Sequence, residues 1–159
     1  MAVFDLKNAV IEFLDGSTNS LEAKLGGGNL TFDETVNREY IMDRGKLYSV
    51  RNGDEAPLDV SFDCIWEYLK SDTGLPPSMR DVLYNINNAS TWVSSDPDTC
   101  NPYCIDIRIT LDQPCLADKK EVIFLQHFRH EKLSFSAKDS TIACSGKCNV
   151  TRANVTRTV

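Results

Sequence analysis

The sequence predicts a mainly β domain, a β-sandwich or barrel with one packed α-helix. Three observations predict it. Apolar and polar residues alternate over 58–68 and again over 105–112, the pattern of strands with one buried and one wet face. Turn clusters such as Asp15-Gly16-Ser17 and Gly26-Gly27-Gly28-Asn29 separate short apolar runs. Helical spacing is clear only around 78–87.

Taken in order, Val10-Ile11-Glu12-Phe13-Leu14 is a strand closed by the Asp15-Gly16-Ser17 turn. Leu21, Ala23 and Leu25 alternate with charged or flexible neighbours. The glycines that follow lead into Leu30-Thr31-Phe32, which predicts a hairpin. After Pro57, the residues Leu58, Val60, Phe62, Cys64, Trp66 and Tyr68 fall on one face. Asp59, Ser61, Asp63 and Glu67 fall on the other, with Ile65 the exception. A strand over 58–69 would reach roughly 40 Å at about 3.4 Å per residue.

Ser78 can cap a helix over 78–87, and Asp81 suits its positive N-terminus. Met79, Val82, Leu83 and Ile86 supply its apolar stripe, and Asn87-Asn88 should end it. A loop over 89–102 follows, with Trp92-Val93 pinned to the core. Ile105, Ile107, Ile109 and Leu111 mark the next strand, and Val122-Ile123-Phe124-Leu125 a central one. Leu133 and Phe135 mark another. The β-branched, proline-free stretch 141–159 predicts one or two more. The sum is eight to ten strands and one helix.

The 159 residues fit one domain, 1–159, large enough to bury a core unaided. The hydrophobic fraction of 42% and charged fraction of 25% belong to a globular chain. No run approaches the roughly 20 apolar residues that span a bilayer, so no membrane partner is expected. The start, Met1-Ala2-Val3-Phe4-Asp5, is acidic where a secretory leader would be basic. Synthesis in a cytosol without conventional export is the expectation.

A net charge of −6 argues against a surface that grips nucleic acid through phosphates. The charge is uneven: residues 1–100 carry 17 acidic and 8 basic side chains, and residues 101–159 carry 6 and 9. Oppositely charged faces of this kind are either solvated or matched across an assembly.

No catalytic constellation emerges, and no enzyme or cofactor is expected. His127 and His130 lie three apart beside Glu131 and read as solvent-facing residues at a turn. Gly26-Gly27-Gly28 lacks the Gly-Lys-Ser/Thr of a phosphate loop, and no Gly-x-Ser-x-Gly elbow is present. Four Asn-x-Ser/Thr sequons, at Asn29, Asn88, Asn149 and Asn154, carry little weight without a leader. Six cysteines stand at 64, 100, 104, 115, 144 and 148. The three-residue gaps of Cys100/Cys104 and Cys144/Cys148 are a weak zinc signal. Buried thiols, disulfides and zinc remain open in that order. On a strand over 142–150, Ile142, Cys144, Gly146, Cys148 and Val150 share a face, and the two cysteines are too far apart to bridge each other.

The stretch from Tyr40-Ile41-Met42-Asp43-Arg44-Gly45-Lys46 through Gly53-Asp54-Glu55-Ala56-Pro57 to Phe62 is similar to the tail tube proteins of tailed bacteriophages. Trp92-Val93-Ser94-Ser95-Asp96 and Ser145-Gly146-Lys147-Cys148-Asn149-Val150-Thr151 also resemble that family. The likeness runs from about residue 10 to the C-terminus. It implies homo-hexameric rings stacked into a tube through which DNA passes without sequence-specific binding. Sheath, tape-measure, terminator and baseplate proteins are the implied partners. The implied location is the virion tail, assembled in the host bacterial cytoplasm.

The resemblance makes residues 38–58 an extended inter-ring arm, docking through Arg38, Glu39, Asp43, Arg44, Lys46, Arg51, Asp54 and Glu55. A DNA lumen should repel phosphates, so Glu12, Asp33, Glu34, Asp59 and Asp63 are candidate luminal residues. The strand beyond Pro57 is expected to complete its hydrogen bonding on neighbouring protomers. Six thiols exceed what the family leads one to expect. Disulfides between subunits are the hypothesis, with Cys100, Cys104 and Cys115 the better candidates and Cys144 and Cys148 the others. The inner tube of a contractile injection system shares these features. A secreted, disulfide-bonded β-sandwich that binds a ligand is the rival from another class.

Overall fold

The computed structural model describes residues 9–26, 28–69, 72–112 and 120–157. Among them are ten strands and one α-helix: β1 (Ala9–Leu14), β2 (Ser20–Glu22), β3 (Leu30–Asp33), β4 (Val36–Asp43), β5 (Lys46–Glu55), β6 (Leu58–Ile65), α1 (Met79–Tyr84), β7 (Ile105–Asp112), β8 (Lys120–Ser136), β9 (Thr141–Cys148) and β10 (Asn154–Arg157). The mainly β class with a lone helix is as the alternation predicts.

Eight strands form one antiparallel sheet in the order β2-β1-β7-β8-β9-β6-β3, with β10 beside β8. The sheet curls until its inner faces meet. Phe13 of β1 lies 5.4 Å from Phe62 of β6, ring centre to ring centre, and Phe62 lies 6.1 Å from Phe128 of β8. Ile11, Leu58, Val60, Ile105, Ile107, Leu125 and Ile142 fill the space between them. Burying each such side chain is worth about 1.5–3 kcal/mol, and this core is the main hold on the curl.

Among the described residues no closed barrel forms. The ladder runs from β2 to β3 without joining them, and the Ile65 amide donates 2.9 Å to the Lys24 carbonyl across the gap. The expected hairpin over the glycines is corrected for the same reason. β2 pairs with β1, whereas β3 pairs with β6 at the other end of the strand order. The glycine segment therefore crosses the mouth of the curl. A side chain at Gly28 would meet the Asp63 carbonyl at 2.6 Å, so the crossing is close.

β6 alternates as its sequence predicts, with Leu58, Val60, Phe62 and Cys64 inward. It stops at Ile65, because Trp66 turns to bond Ser140 and packs at a tilt with its ring centre 5.5 Å from that of Phe135, and Tyr68 is exposed. β6 pairs with β9 along its whole length and with β3 over Asp59–Phe62. Its ladder is thus largely satisfied within one chain, which corrects the expectation that it closes on neighbouring protomers.

The two expected strands at 122–125 and 133–135 are one strand, β8. Its first half pairs with β7 and β10, its second with β9. A register shift near His127 and another between His130 and Lys132 let it bend across both halves.

α1 is shorter than the predicted 78–87. Ser78 accepts the Asp81 amide, as its capping role predicts, but Asn85 adopts a left-handed conformation (φ 58°) and ends the helix. Val82 and Leu83 are buried, and Met79 packs against the core. A single 3₁₀ turn, Asn87–Ala89, then delivers Trp92 into the core, while Val93 stays exposed.

Candidate functional surfaces and the Cys104–His127 cluster

Among the described residues β4 and β5 pair with each other alone and form a separate two-stranded sheet. This hairpin occupies most of the segment expected as an arm. Arg44 (φ 53°) and Gly45 (φ 78°) make its two-residue turn. The register assigns the faces. Arg38 lies opposite Asn52, Tyr40 opposite Val50 and Met42 opposite Leu47 on one side. Glu39 lies opposite Arg51, Ile41 opposite Ser49 and Asp43 opposite Lys46 on the other.

One face is therefore charged, and it pairs internally. Arg51 Nε donates to Glu39, and Arg44 sits 3.9 Å from Asp43. On the opposite side, at the base end, Arg38 donates to Asn52 Oδ1 at 2.6 Å. Asp54 and Glu55 lie at the hairpin base, near Thr151 and Arg152. Beyond the Arg38–Asn52 pair that opposite side is apolar and uncovered: Tyr40 is 66% exposed, Met42 54%, Leu47 74% and Val50 53%. A two-stranded ribbon is marginal alone in water, and a contiguous exposed apolar stripe marks a contact surface. Sequence reasoning weighed the charges of this segment and missed the stripe.

The five candidate luminal acids do not converge on one place. Asp33, Asp59 and Asp63 share the outer face of the β3-β6-β9 region, with Asp33 opposite Asp59 in the ladder. Lys147 Nζ stands 3.2 Å from Asp59. Around them lie Thr31 and Ser61, whose hydroxyls are 2.9 Å apart, and Ser134, Ser145, Glu131 and Lys132. Glu12 belongs to the other half of the sheet and is paired with Arg108. Glu34 accepts the Ala153 amide at 3.2 Å.

Cys64, Cys100, Cys104, Cys144 and Cys148 are free thiols, and all but Cys100 are buried. Four of the five are thus the buried thiols placed first among the expectations, no disulfide joins the five within the chain, and Cys115 lies outside the described residues. Burial pushes the thiols up, Cys64 to about 11 and Cys144 and Cys148 to about 12. Protonated and enclosed, those three are poor nucleophiles for exchange with a neighbour.

His127 and His130 are not at a turn. Both lie within β8 and are half-buried. His130 sits edge-on to Tyr84, with ring centres 4.6 Å apart, and burial pulls its pKa down. His127 occupies the bulge with φ 59°. Its amide donates to Asp106 at 3.0 Å, and its carbonyl accepts the Asn149 amide at 3.3 Å. Its Nδ1 lies 3.8 Å from Cys104 Sγ and 3.5 Å from Ser95 Oγ.

The loop before β7 carries the rest of this cluster. Asp15, at the β1–β2 turn, accepts the Val93 amide at 3.0 Å, and Gly16 donates to the Val93 carbonyl. Those bonds fix Ser94, Ser95 and Asp96 over Cys104. Asp96 accepts from the Asp98 amide, Asn101 and Arg129, and these hydrogen bonds hold its carboxyl below the usual range. Asp96, Cys104 and His127 present ligand atoms that all lie within 4.8 Å of one another.

No helix among the described residues is long and apolar enough to cross a membrane. The curled sheet, plugged by one helix and bearing a detached ribbon, defines a tail-tube-like β fold. No protein-family model matches the chain, and no curated protein matches it. Among solved structures it is similar to a chain in the cryo-EM structure of the sheath/tube terminator of an extracellular contractile injection system, PVC, in the extended state. The TM-score is 0.55 at 10% identity, over 98% of this chain and 98% of that one. At that identity the likeness is one of fold.

Proposed function

We propose that this chain is a non-catalytic structural subunit of a tail-like injection particle, assembling in rings about the tube axis. The observation that carries the reading is the β4–β5 hairpin, which stands apart from the sheet with Tyr40, Met42, Leu47 and Val50 uncovered. Its occupant is a neighbouring copy of the chain, in the same or the next ring. The likeness to a terminator-structure chain over nearly the full length supports a contractile-type particle, near where tube and sheath end. Sheath and tube proteins are then the partners.

A phage tail tube that conducts DNA is the second reading. What favours it is the shared face of Asp33, Asp59 and Asp63, polar, rich in small hydroxyl side chains and weighted toward negative charge. Such a face suits a lumen that must not hold phosphates. In both readings the rings are six-fold and the particle is put together in a bacterial cytoplasm.

The hairpin tests the proposal. Light scattering and negative-stain microscopy of the purified chain should show rings or hollow filaments. The double variant Tyr40→Asp, Leu47→Asp should remain folded, with a wild-type melting temperature, and run as a monomer. A wild-type chain that stays monodisperse and monomeric at high concentration, or a variant that still forms rings, would overturn it.

A further inference from the structure

We infer that Asp96, Cys104 and His127 form a zinc-binding site that ties the loop before β7 to the bulge in β8. The ligand set is a thiolate, an imidazole and a carboxylate, which together favour zinc over magnesium or calcium. Tetrahedral zinc, with bonds of about 2.3 Å to sulfur and 2.05 Å to nitrogen, sets those two atoms about 3.6 Å apart. Cys104 Sγ and His127 Nδ1 stand at 3.8 Å, and the Asp96 oxygen completes a set within 4.8 Å. The thiolate and the carboxylate offset the dication's charge, the carboxylate being shared with Arg129, and a fourth position is left for water.

The surroundings favour such a site, because the thiol and the carboxylate have outer hydrogen-bond partners and the His127 backbone is pinned. Ser94 and Ser95 hydroxyls lie 3.4 and 3.2 Å from the Cys104 sulfur, placed to donate to a thiolate. Asp98, Asn101 and Arg129 orient the Asp96 carboxylate. His127 is kept in a left-handed conformation, costly for a non-glycine residue, by bonds to Asp106 and Asn149. That conformation aims its ring at a buried thiol. Cys104 is 1% exposed, so a metal there would be enclosed on its sulfur side and would tie the loop to the β8 bulge.

Metal analysis and cobalt substitution of the intact purified chain test the site. After dialysis, one zinc per chain is expected. Cobalt(II) should give the near-ultraviolet thiolate charge-transfer band and intense visible bands of a tetrahedral centre. Chelation should lower the melting temperature by about 5 °C or more. Cys104→Ser and His127→Asn should each weaken zinc binding more than tenfold, Asn being tolerant of the left-handed backbone, while Cys100→Ser should leave it unchanged. If a variant fails to fold, the wild-type cobalt spectrum decides alone. Wild-type protein with less than a tenth of a zinc per chain and no charge-transfer band would overturn the inference. So would binding that survives Cys104→Ser or is lost in Cys100→Ser.

Discussion

Asp15 shows how much one buried carboxylate can organise. It is 6% exposed and accepts the amides of Ser17 and Asn19 and the amide of Val93, 78 residues away. Burial raises its pKa, but hydrogen bonds from Asn19, Val93 and Ser17 outweigh that and leave it lowered. A depressed carboxylate contributes stability above its unfolded value, near 3.9, and loses it as pH falls through the folded value. Asp15→Asn should therefore cost about 2 kcal/mol near neutral pH. In urea unfolding, the gap to wild type should shrink below about pH 4; a gap independent of pH would refute the assignment. The sequence marked Asp15 only as a turn residue, because its distant partner is set by tertiary contact. The Asp96–Cys104–His127 group was equally illegible, since 31 positions separate its ends with no motif spacing.

At the scale of elements, legibility followed periodicity. β6 and β7 were readable because Leu58, Val60 and Phe62, and Ile105, Ile107 and Ile109, point inward at every second position. β8 was read as two strands because its bulges shift the alternation near His127 and Glu131. β9 reads cleanly, and its Gly146 has a packing reason. A side chain there would meet the Arg129 carbonyl at 2.2 Å and the Phe128 ring at 2.9 Å. Because backbone must move to admit even a methyl group, Gly146→Ala should destabilise by about 1–3 kcal/mol. Calorimetry would register it as a fall in melting temperature, and an unchanged value would mean β8 and β9 can separate freely at that point. The hairpin was anticipated only as an extended arm over 38–58, through a family resemblance, and its apolar stripe was not anticipated, since exposure of Tyr40 and Leu47 is a property of the folded chain.

For the whole molecule, the strand order was beyond reach of sequence. Nothing in Gly26-Gly27-Gly28 says that the chain crosses to the far end of the sheet instead of doubling back. The clustering of three acids and the separation of Glu12 follow from that crossing. Reversing the clustered charges, Asp33→Lys with Asp63→Lys, should leave rings intact but slow passage of DNA in particles rebuilt with the variant. Reversal at Glu12 should instead disturb its ion pair with Arg108 and leave passage unchanged. Equal transit rates for the clustered variant and wild type would remove the conducting reading and leave the terminator-like one standing.

β8 gives the molecule a direction of strength. Seventeen residues run as one strand, held by β7 and β10 on its first half and by β9 on its second. Tension applied along that strand loads many rungs at once, in shear. Tension across it falls first on the seam, where among the described residues the Lys24–Ile65 backbone bond and the exposed Lys24–Glu67 ion pair join the two ends, and then peels the sheet rung by rung. The protein is accordingly stiff along one axis and yielding across it, like a plank cut with the grain.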